Sequence, residues 1–367
     1  MRKLLDVLAA CVFLAAAAAT TCAQDNGSWS FALSGDSRNC GDVIVPEIAN
    51  RVHQDGVSFY WHLGDFRALY DFDQDMRAAH HGKLTIAEYE SRAWQDFIDQ
   101  QIAPFRKTPV YLALGNHELV SRTRPELLVQ FADWFDSAPI RSQRLADDAG
   151  NHKLRTYYHW HERNVDFITM DNASPDQFDD EQVAWFEKVL ALDAADPNIR
   201  TVVVGMHDAL PDSLSAGHSM NESERGTRSG RKVYDELLKF RDTTHKEVQV
   251  LASHAHFVMS SPYETSCRKP DEVLSGWIVG TAGATRYRLP AQHSTTLAQT
   301  DVYGYLLGKV DAEGHITFSF HEISEQQIPA EVTTRYGKSL VHECFVGNKS
   351  TYVPDGPTCP RETVSRP

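Results

Sequence analysis

The feature that most constrains this chain is an apolar run of strand length that ends in polar groups. Residues 110–114, VYLAL, are followed directly by Gly115, Asn116, His117 and Glu118. A glycine followed by an amide, an imidazole and a carboxylate is typical of a buried strand that delivers polar side chains to the edge of a sheet. We therefore expect the chemistry of the protein at such an edge.

The same design recurs four more times along the chain. The apolar runs at 31–34, 59–63, 202–204 and 248–252 lead to further polar residues, which are Asp36, Asp65, His207 and the pair His254 and His256. A helix pattern between the first two runs predicts a strand, helix, strand unit of a parallel sheet, with the polar strand ends gathered at one edge. The paired histidines point to the same side if their strand continues through them. Taken singly, each motif has a commoner reading, such as a turn or a packed histidine.

This order of motifs resembles the calcineurin-like metallophosphoesterase superfamily. Its members carry an aspartate motif, Gly-Asp, Gly-Asn-His-Asp/Glu, a lone His and Gly-His-x-His, and the match here runs from about Phe31 to His256. The stretches at 277–283 and 303–307 are similar to the closing strands of the family. The resemblance implies an α/β fold of two facing mixed β-sheets flanked by helices, a four-layer αββα sandwich.

The resemblance also implies a role for each matched residue. The implied metal ligands are Asp36, Asp65, Asn116, His207, His254 and His256. Asp65 would bridge two ions, and Asp36 and His256 would complete the first ion's site. His117 would donate a proton to the leaving group, and Glu118 would orient the imidazole of His117. The implied reaction is hydrolysis of a phosphate monoester or diester by metal-bound hydroxide, with one or two ions of Mn, Fe or Zn per chain.

The first motif departs from the family pattern. Members commonly read Asp-x-His, whereas here Asp36 is followed by Ser37 and Arg38. A guanidinium stays charged and cannot bind a cation. Water or Asn39 would then complete the first site, or the enzyme holds only one ion firmly and Arg38 binds the substrate phosphate. The purple acid phosphatase branch also lacks this histidine, but it has a tyrosine where this chain has Ala68, so we do not assign the chain to that branch.

Substrate contacts are expected from Arg38, Asn116 and His218. His218 lies in a long polar stretch, residues 208–231, that begins next to a predicted ligand. Loops of this length are usually functional or disordered, and plain solvent exposure is the competing reading. Two other functions are considered. The first is a phosphate-ligand binding module of this fold that has lost catalysis, as the replacement of the family's histidine by Arg38 would indicate. The second is a structural protein that uses a metal for stability.

The charge composition limits the classes of molecule that the protein can be expected to bind. The formal net charge is -14, and no basic run could neutralise the phosphates of a nucleic acid or an anionic membrane. Part of the acidity is the carboxylate content that a cation site requires. We therefore expect a small-molecule phosphate ester as the substrate.

The first residues predict export. Residues 1–23 combine a basic start, an alanine-rich apolar run and small residues before a cleavage point after Ala23, which is typical of a signal peptide. We predict a secreted or periplasmic protein with no membrane span after cleavage, and we favour this over a lipid anchor at Cys11 or Cys22. The catalytic domain would cover residues 24–325, and residues 326–367 would form a disulfide-tied tail.

Four cysteines remain after removal of the signal peptide, and they are Cys40, Cys267, Cys344 and Cys359. An even number in an exported protein indicates disulfides rather than metal thiolates. Of the three possible pairings we favour Cys344 with Cys359, which would pin the tail, and Cys40 with Cys267, which would tie two loops near the site.

Apolar spacing also predicts the main helices and one further strand pair. Helices are expected at 42–54, 124–135, 178–192 and 232–240, a helix after the capping box of Thr85 and Glu88, and paired strands at 155–161 and 165–170.

Overall fold

The computed structural model describes residues 27–173, 177–291 and 297–359. Within these ranges the strands are β1 Trp29–Ser34, β2 Tyr60–His62, β3 Val110–Leu112, β4 Tyr158–Glu162, β5 Val165–Thr169, β6 Thr201–Gly205, β7 Glu247–Ala252, β8 Val258–Ser260, β9 Ser275–Val279, β10 Ala298–Gln299, β11 Tyr303–Val310 and β12 Ile316–Ile323. The α-helices are α1 Gly41–Gln54, α2 Gln74–Ala79, α3 Ile86–Phe97, α4 Arg124–Gln130, α5 Ala132–Phe135, α6 Ala138–Asp147, α7 Asp180–Ala195, α8 Glu224–Thr244, α9 Ala330–Tyr336 and α10 Lys338–Val346.

The strands form two mixed sheets. The first sheet has the order β12-β11-β1-β2-β3, and the second has the order β10-β8-β9-β7-β6-β5-β4. Strands β1, β2 and β3 are parallel, and so are β5, β6, β7 and β9. Antiparallel strands complete both sheets. The parallel strands therefore bring most of the predicted polar strand ends to one edge of each sheet.

Aromatic side chains fill the space between the two sheets. Phe31, Phe59 and Trp61 of the first sheet pack with Trp160 and Phe167 of the second, and all five are buried. The ring centroids of Phe59 and Phe167 are 4.9 Å apart, and those of Trp61 and Trp160 are 5.3 Å apart. Burial of each such ring stabilises the fold by about 1.5–3 kcal/mol, so this layer fixes how the two sheets face each other.

Helices cover the outer face of each sheet. Helices α1, α9 and α10 pack on the first sheet through side chains that include Val43, Val332 and Val341. Helices α7 and α8 cover the second sheet through side chains that include Phe186 and Leu237. The result is the αββα sandwich that the resemblance implied.

Helix starts follow the capping residues. The predicted capping box before α3 forms, since Glu88 N donates to Thr85 Oγ1 at 3.3 Å and Thr85 N donates to the Glu88 carboxylate at 3.0 Å. Helix α8 begins at Glu224, earlier than the predicted start at 232, because Ser223 Oγ accepts a hydrogen bond from the N–H of Gly226 at 2.8 Å. The second part of the expected polar loop is therefore helical.

The C-terminal segment is folded rather than extended as a tail, and it contains α9 and α10. Two disulfides form among the described residues, and they are Cys40–Cys344 and Cys267–Cys359. The favoured pairing was wrong because α10 packs beside the start of α1, where Cys344 lies with its Cα 6.0 Å from that of Cys40. Residues 350–359 then return past Gly217 and reach Cys267.

Disulfides are compatible with the predicted export, because they persist in oxidising compartments. The predicted signal peptide, residues 1–23, lies outside the described residues. Among the described helices, none has the combination of length and apolar character that crossing a membrane requires.

Removing the disulfide that closes the longer loop should destabilise the protein. The Cys40–Cys344 bridge spans 304 residues of sequence, so the double substitution Cys40→Ala and Cys344→Ala should lower the free energy of unfolding by about 2–5 kcal/mol in urea titrations. The matched control is the pair Cys267→Ala and Cys359→Ala, which opens a shorter loop. Peptide mapping that found Cys40 joined to Cys267 would contradict the assignment.

Candidate metal centre

The structure brings the six predicted ligands together at the edge where the two sheets face each other. Each follows the carboxyl end of a strand: Asp36 after β1, Asp65 after β2, Asn116 after β3, His207 after β6, and His254 and His256 after β7. Both carboxylates are fully buried, whereas Asn116 and His254 are partly exposed. The cluster is therefore open to a ligand on one side.

Four acceptor atoms converge on one position with no donor between them. Nε2 of His207 lies 3.1 Å from Asn116 Oδ1, 3.3 Å from Asp65 Oδ1 and 3.0 Å from Nδ1 of His254. Nδ1 of His207 is 2.8 Å from the carbonyl oxygen of Leu63, to which it donates, so Nε2 directs a lone pair at the other three atoms. Buried acceptors that face one another require a positive group between them. These residues fit a metal ion.

Burial and the neighbouring charges determine the protonation of the His207 and His254 imidazoles. Although burial disfavours the charged form, the Asp65 carboxylate raises the pKa of His207 well above its ordinary value. Burial and the neighbouring His207 hold the pKa of His254 well below its ordinary value. A proton on His207 thus takes the place of the cation in the metal-free chain, and metal binding would release it.

Three of the ligands have a left-handed backbone. Asp36, Asp65 and His254 have φ angles of 59°, 59° and 62°. Such conformations are strained for residues with a side chain and persist only where surrounding contacts hold them. The N–H of His254 donates to Asp36 Oδ2 at 2.7 Å, and the N–H of Asp36 donates to the carbonyl of Gly64 at 2.9 Å. The strand ends therefore fix one another.

Glu118 serves the backbone and does not contact His117. Its carboxylate accepts hydrogen bonds from the N–H groups of Asp65 at 2.9 Å, Gly115 at 2.7 Å and Phe66 at 2.8 Å. Burial raises the pKa of Glu118 to about 8, whereas the three N–H donors favour its ionised form. The expectation that Glu118 orients His117 is corrected: Glu118 orients the loop that carries Asp65.

His117 is held by the carbonyl oxygen of Ala68, which lies 2.5 Å from its Nδ1. Since Nδ1 donates there, Nε2 accepts hydrogen bonds from Arg38 Nη1 and from the Tyr70 hydroxyl, each at 2.6 Å. Burial lowers the pKa of His117 to about 4. The imidazole is therefore neutral, with Nε2 facing two donors.

The guanidinium of Arg38 lies where the ligands of the first ion face each other. Its Nη2 is 3.1 Å from His256 Nε2, and its Nε is 3.8 Å from Asp65 Oδ2. His256 Nε2 is in turn 3.3 Å from Asp36 Oδ1. The side chain of Asn39 does not complete this site, because its oxygen accepts a hydrogen bond from the backbone N–H of a neighbouring loop. Arg38 thus supplies the positive charge at this position.

His218, predicted to contact substrate, lies at the rim of the centre. Its ring stacks on that of His254 with a centroid distance of 4.7 Å and lies 4.9 Å from Tyr287 and 5.0 Å from Tyr352. The position suits a contact with substrate, which stays a prediction.

Tyr70 and Tyr287 were missed by the sequence analysis. The ring of Tyr70 lies 4.3 Å from that of His117, and the ring of Tyr287 stacks on that of His256 at 4.0 Å. Both hydroxyls are 3.5 Å from the guanidinium of Arg38. Neither tyrosine belongs to a strand-end motif, so no signal in the sequence points to them.

A family model described as calcineurin-like phosphoesterase matches residues 41–257, which is more than half of the chain. No curated protein matches the sequence.

Three solved structures are similar to this chain to different degrees. The purple acid phosphatase PPD1 from yellow lupin (Lupinus luteus) seeds is 16% identical with a TM-score of 0.52, over 82% of this chain and 52% of that chain. GAP50, the anchor in the inner membrane complex of Plasmodium, is 13% identical with a TM-score of 0.48, over 90% of this chain and 99% of that one. PhoD is 13% identical with a TM-score of 0.48, over 86% and 77%. The chain spans about half the length of the lupin phosphatase, and at this identity the likeness shows the fold alone.

Substitution of Glu118 should weaken metal binding without removing a ligand. Glu118→Gln replaces one accepting oxygen with an NH₂ group that faces backbone N–H donors, so the loop that carries Asp65 should shift. We expect metal affinity to fall by about 10–100-fold in calorimetric titrations, as for other residues that orient ligands. Glu126→Gln, the same chemical change in the exposed capping box of α4, is the control and should leave affinity unchanged. Equal affinities for the two variants would contradict the assignment.

Proposed function

The chain belongs to the calcineurin-like phosphoesterase family, and we propose that it hydrolyses a phosphate ester with one metal ion and the guanidinium of Arg38. Family membership supports metal-dependent hydrolysis of phosphoesters in general. The observation that carries the finer proposal is the position of Arg38, whose guanidinium lies between His117, His256 and Asp65. A permanent cation there takes the place of the first ion.

Asp65, Asn116, His207 and His254 would hold the single ion. One carboxylate, one amide oxygen and two imidazoles suit Mn, Fe or Zn. Such an ion supplies Lewis acidity, which polarises a phosphoryl oxygen and lowers the pKa of water to near neutral. The chain's own residues position the substrate beside it.

Arg38 would bind the phosphoryl group. Its Nη1 and Nη2 form a planar fork of N–H donors that matches two phosphate oxygens. The fork now donates to His117 and His256. A phosphate anion is a stronger acceptor than a neutral imidazole, so a substrate would take over these bonds with little movement of the side chain. The nearby Asp65 carboxylate opposes the cost of burial and raises the pKa of Arg38, which keeps the fork charged.

His117 and Tyr70 would serve the leaving group. The expelled alkoxide requires a proton, and the Tyr70 hydroxyl would supply it and become a phenolate beside the charged guanidinium of Arg38. Nε2 of His117, which lies 2.6 Å from that hydroxyl, would orient it. The ring nitrogen is also fixed from its other side by the Ala68 carbonyl. The pair therefore presents a proton at a defined atom beside Arg38.

A second candidate function is binding without hydrolysis. The hydrogen bonds that join Arg38 to His117 and His256 already engage both imidazoles and the two terminal nitrogens of the guanidinium, which favours a phosphate-ligand binding module. The two candidates differ in one assay. A metal-loaded protein that binds inorganic phosphate but leaves p-nitrophenyl phosphate and its diesters intact with Mn, Fe or Zn would support the binding module and contradict the hydrolase.

Replacement of Arg38 should change the metal content. Arg38→His restores the imidazole of the family motif, so elemental analysis after incubation with Mn or Zn should find one more equivalent of metal than in the unaltered protein. Arg38→Gln is the matched control: it removes the charge without adding a ligand and should add no metal. Its turnover should fall by about 10²–10³-fold, because a donor to the phosphoryl group is lost. Equal metal content in Arg38→His and the unaltered protein would contradict the proposal.

The effect of removing His117 on the rate of hydrolysis should depend on the leaving group of the substrate. His117→Ala should lower kcat by about 10²–10⁴-fold for an alkyl phosphate, which needs a proton on its leaving oxygen, and by much less for p-nitrophenyl phosphate. Metal content should stay unchanged. A loss that is equal for both substrates, or is accompanied by loss of metal, would remove His117 from this role.

A further inference from the structure

A second cluster of histidines and aspartates lies at the opposite end of the seven-stranded sheet. His159 and His161 on β4 and Asp166 near the start of β5 lie close enough together to hold a metal ion, and Asp193 on α7 lies beside His161. Asp166 pairs with the start of β6, whereas His207 follows the end of β6. A strand of this length separates the two by roughly 15 Å, so the cluster is distinct from the candidate metal centre.

Three polar atoms in the cluster have no hydrogen-bond partner among the described residues: His161 Nε2, Asp166 Oδ1 and Asp193 Oδ2. The Asp166 and Asp193 residues are only 0% and 1% exposed. Nε2 of His161 is 3.8 Å from Asp166 Oδ1 and 3.7 Å from Asp193 Oδ1, which is too long for a hydrogen bond. Asp166 Oδ1 and Asp193 Oδ2 are thus buried acceptors without a donor, which is costly, so a positive group or a proton belongs beside them.

His159 cannot be that group, because both of its nitrogens are engaged elsewhere. Nδ1 is 2.8 Å from Asp166 Oδ2, and Nε2 is 2.6 Å from Asp147 Oδ2. Burial opposes its charge, but the two carboxylates raise the pKa of His159 to about 10. A protonated His159 thus fixes one oxygen of Asp166 and leaves the other directed toward His161.

Lys246 is another cation beside α7, and its ammonium is also engaged. Its Nζ donates to the backbone carbonyl of Asp193 and, at 2.6 Å, to that of Asp196. These bonds satisfy the carboxyl end of α7 and leave the Asp193 carboxylate facing His161. The cluster therefore has one imidazole and two carboxylates directed at a common space.

We propose that His161, Asp166 and Asp193 bind a divalent transition-metal ion, for which zinc is the best fit. Zinc binds imidazole nitrogen and carboxylate oxygen at about 2.0–2.2 Å, so two bonds at a wide angle span ligand atoms 3.7–3.8 Å apart. The side chain of His161 is 31% exposed although its Nε2 is buried, so the route of an ion from solvent would pass the His161 ring. The bound ion would join the β4–β5 hairpin to α7, a structural role independent of the proposed hydrolysis.

A proton is the competing occupant. Burial raises the pKa of Asp193 to about 7, and a proton on Asp193 or on His161 would also relieve the repulsion between the carboxylates. An experiment must therefore detect the ion itself and assign it to these residues.

The test uses the full chain with Asp65→Ala and His207→Ala, which removes ligands of the catalytic centre. After equilibrium dialysis against zinc, elemental analysis should find one equivalent in this background and none after the further change His161→Gln. His315→Gln is the matched control, because His315 is an exposed histidine paired with a single glutamate, and it should retain the equivalent. Zinc should raise the Tm of the background and control proteins but not that of the His161→Gln protein.

Absence of zinc from the background protein, or binding that survives His161→Gln, would overturn the proposal. If His161→Gln fails to fold, Asp193→Asn keeps the shape of the side chain and should also lose the zinc. Because catalytic ligands are already removed, the outcome does not depend on whether the protein hydrolyses phosphate esters.

Discussion

The placement of positive charge beside Asp36 and Asp65 is the constraint on which the candidate site depends. Both carboxylates are fully buried, and one oxygen of each, Asp36 Oδ1 and Asp65 Oδ2, has no hydrogen-bond partner among the described residues. Charge left uncompensated at such depth costs several kcal/mol. The guanidinium of Arg38 and one divalent ion would exceed the charge of the two carboxylates by one, whereas Arg38 and two divalent ions would exceed it by three. Arg38 is therefore better understood as a built-in cation than as a damaged ligand position.

Contacts within the site also hold its strained backbone in place. Left-handed conformations at Asp36, Asp65 and His254 cost of order 1–3 kcal/mol each, and they would relax without support. Glu118 supplies that support for Asp65 by accepting hydrogen bonds from three N–H groups of two loops. Gly115 must be a glycine because a Cβ there would collide with the Asp65 side chain. The glutamate and the glycine of the motif thus serve loop geometry, while its amide and imidazole face the ligand.

The features that could be predicted from the sequence are those set by residues close together along the chain. Each ligand follows a buried apolar strand, and parallel pairing then brings the strand ends together, so the gathering of these polar residues at one edge could be predicted from local patterns. The αββα fold and the role of each ligand were predicted from the resemblance to the family. Tyr70 and Tyr287 could not, because they reach the site only through loop paths that apolar spacing does not encode. The cysteine pairing failed for a related reason: it depends on α10 packing against α1, a contact between the two ends of the domain.

The same arrangement explains how Arg38, whose terminal nitrogens are already hydrogen-bonded, could act on a substrate. Arg38 donates to two imidazoles that are themselves fixed through their other nitrogens, His117 by the Ala68 carbonyl and His256 by the Thr285 carbonyl at 2.6 Å. The imidazoles therefore stay in place when the guanidinium turns to a stronger acceptor. A phosphate anion would accept two hydrogen bonds in which both partners are charged, and these are stronger than the bonds from the guanidinium to the two imidazoles. This exchange would favour phosphate binding beside the proposed ion, where the proposed hydrolysis requires it.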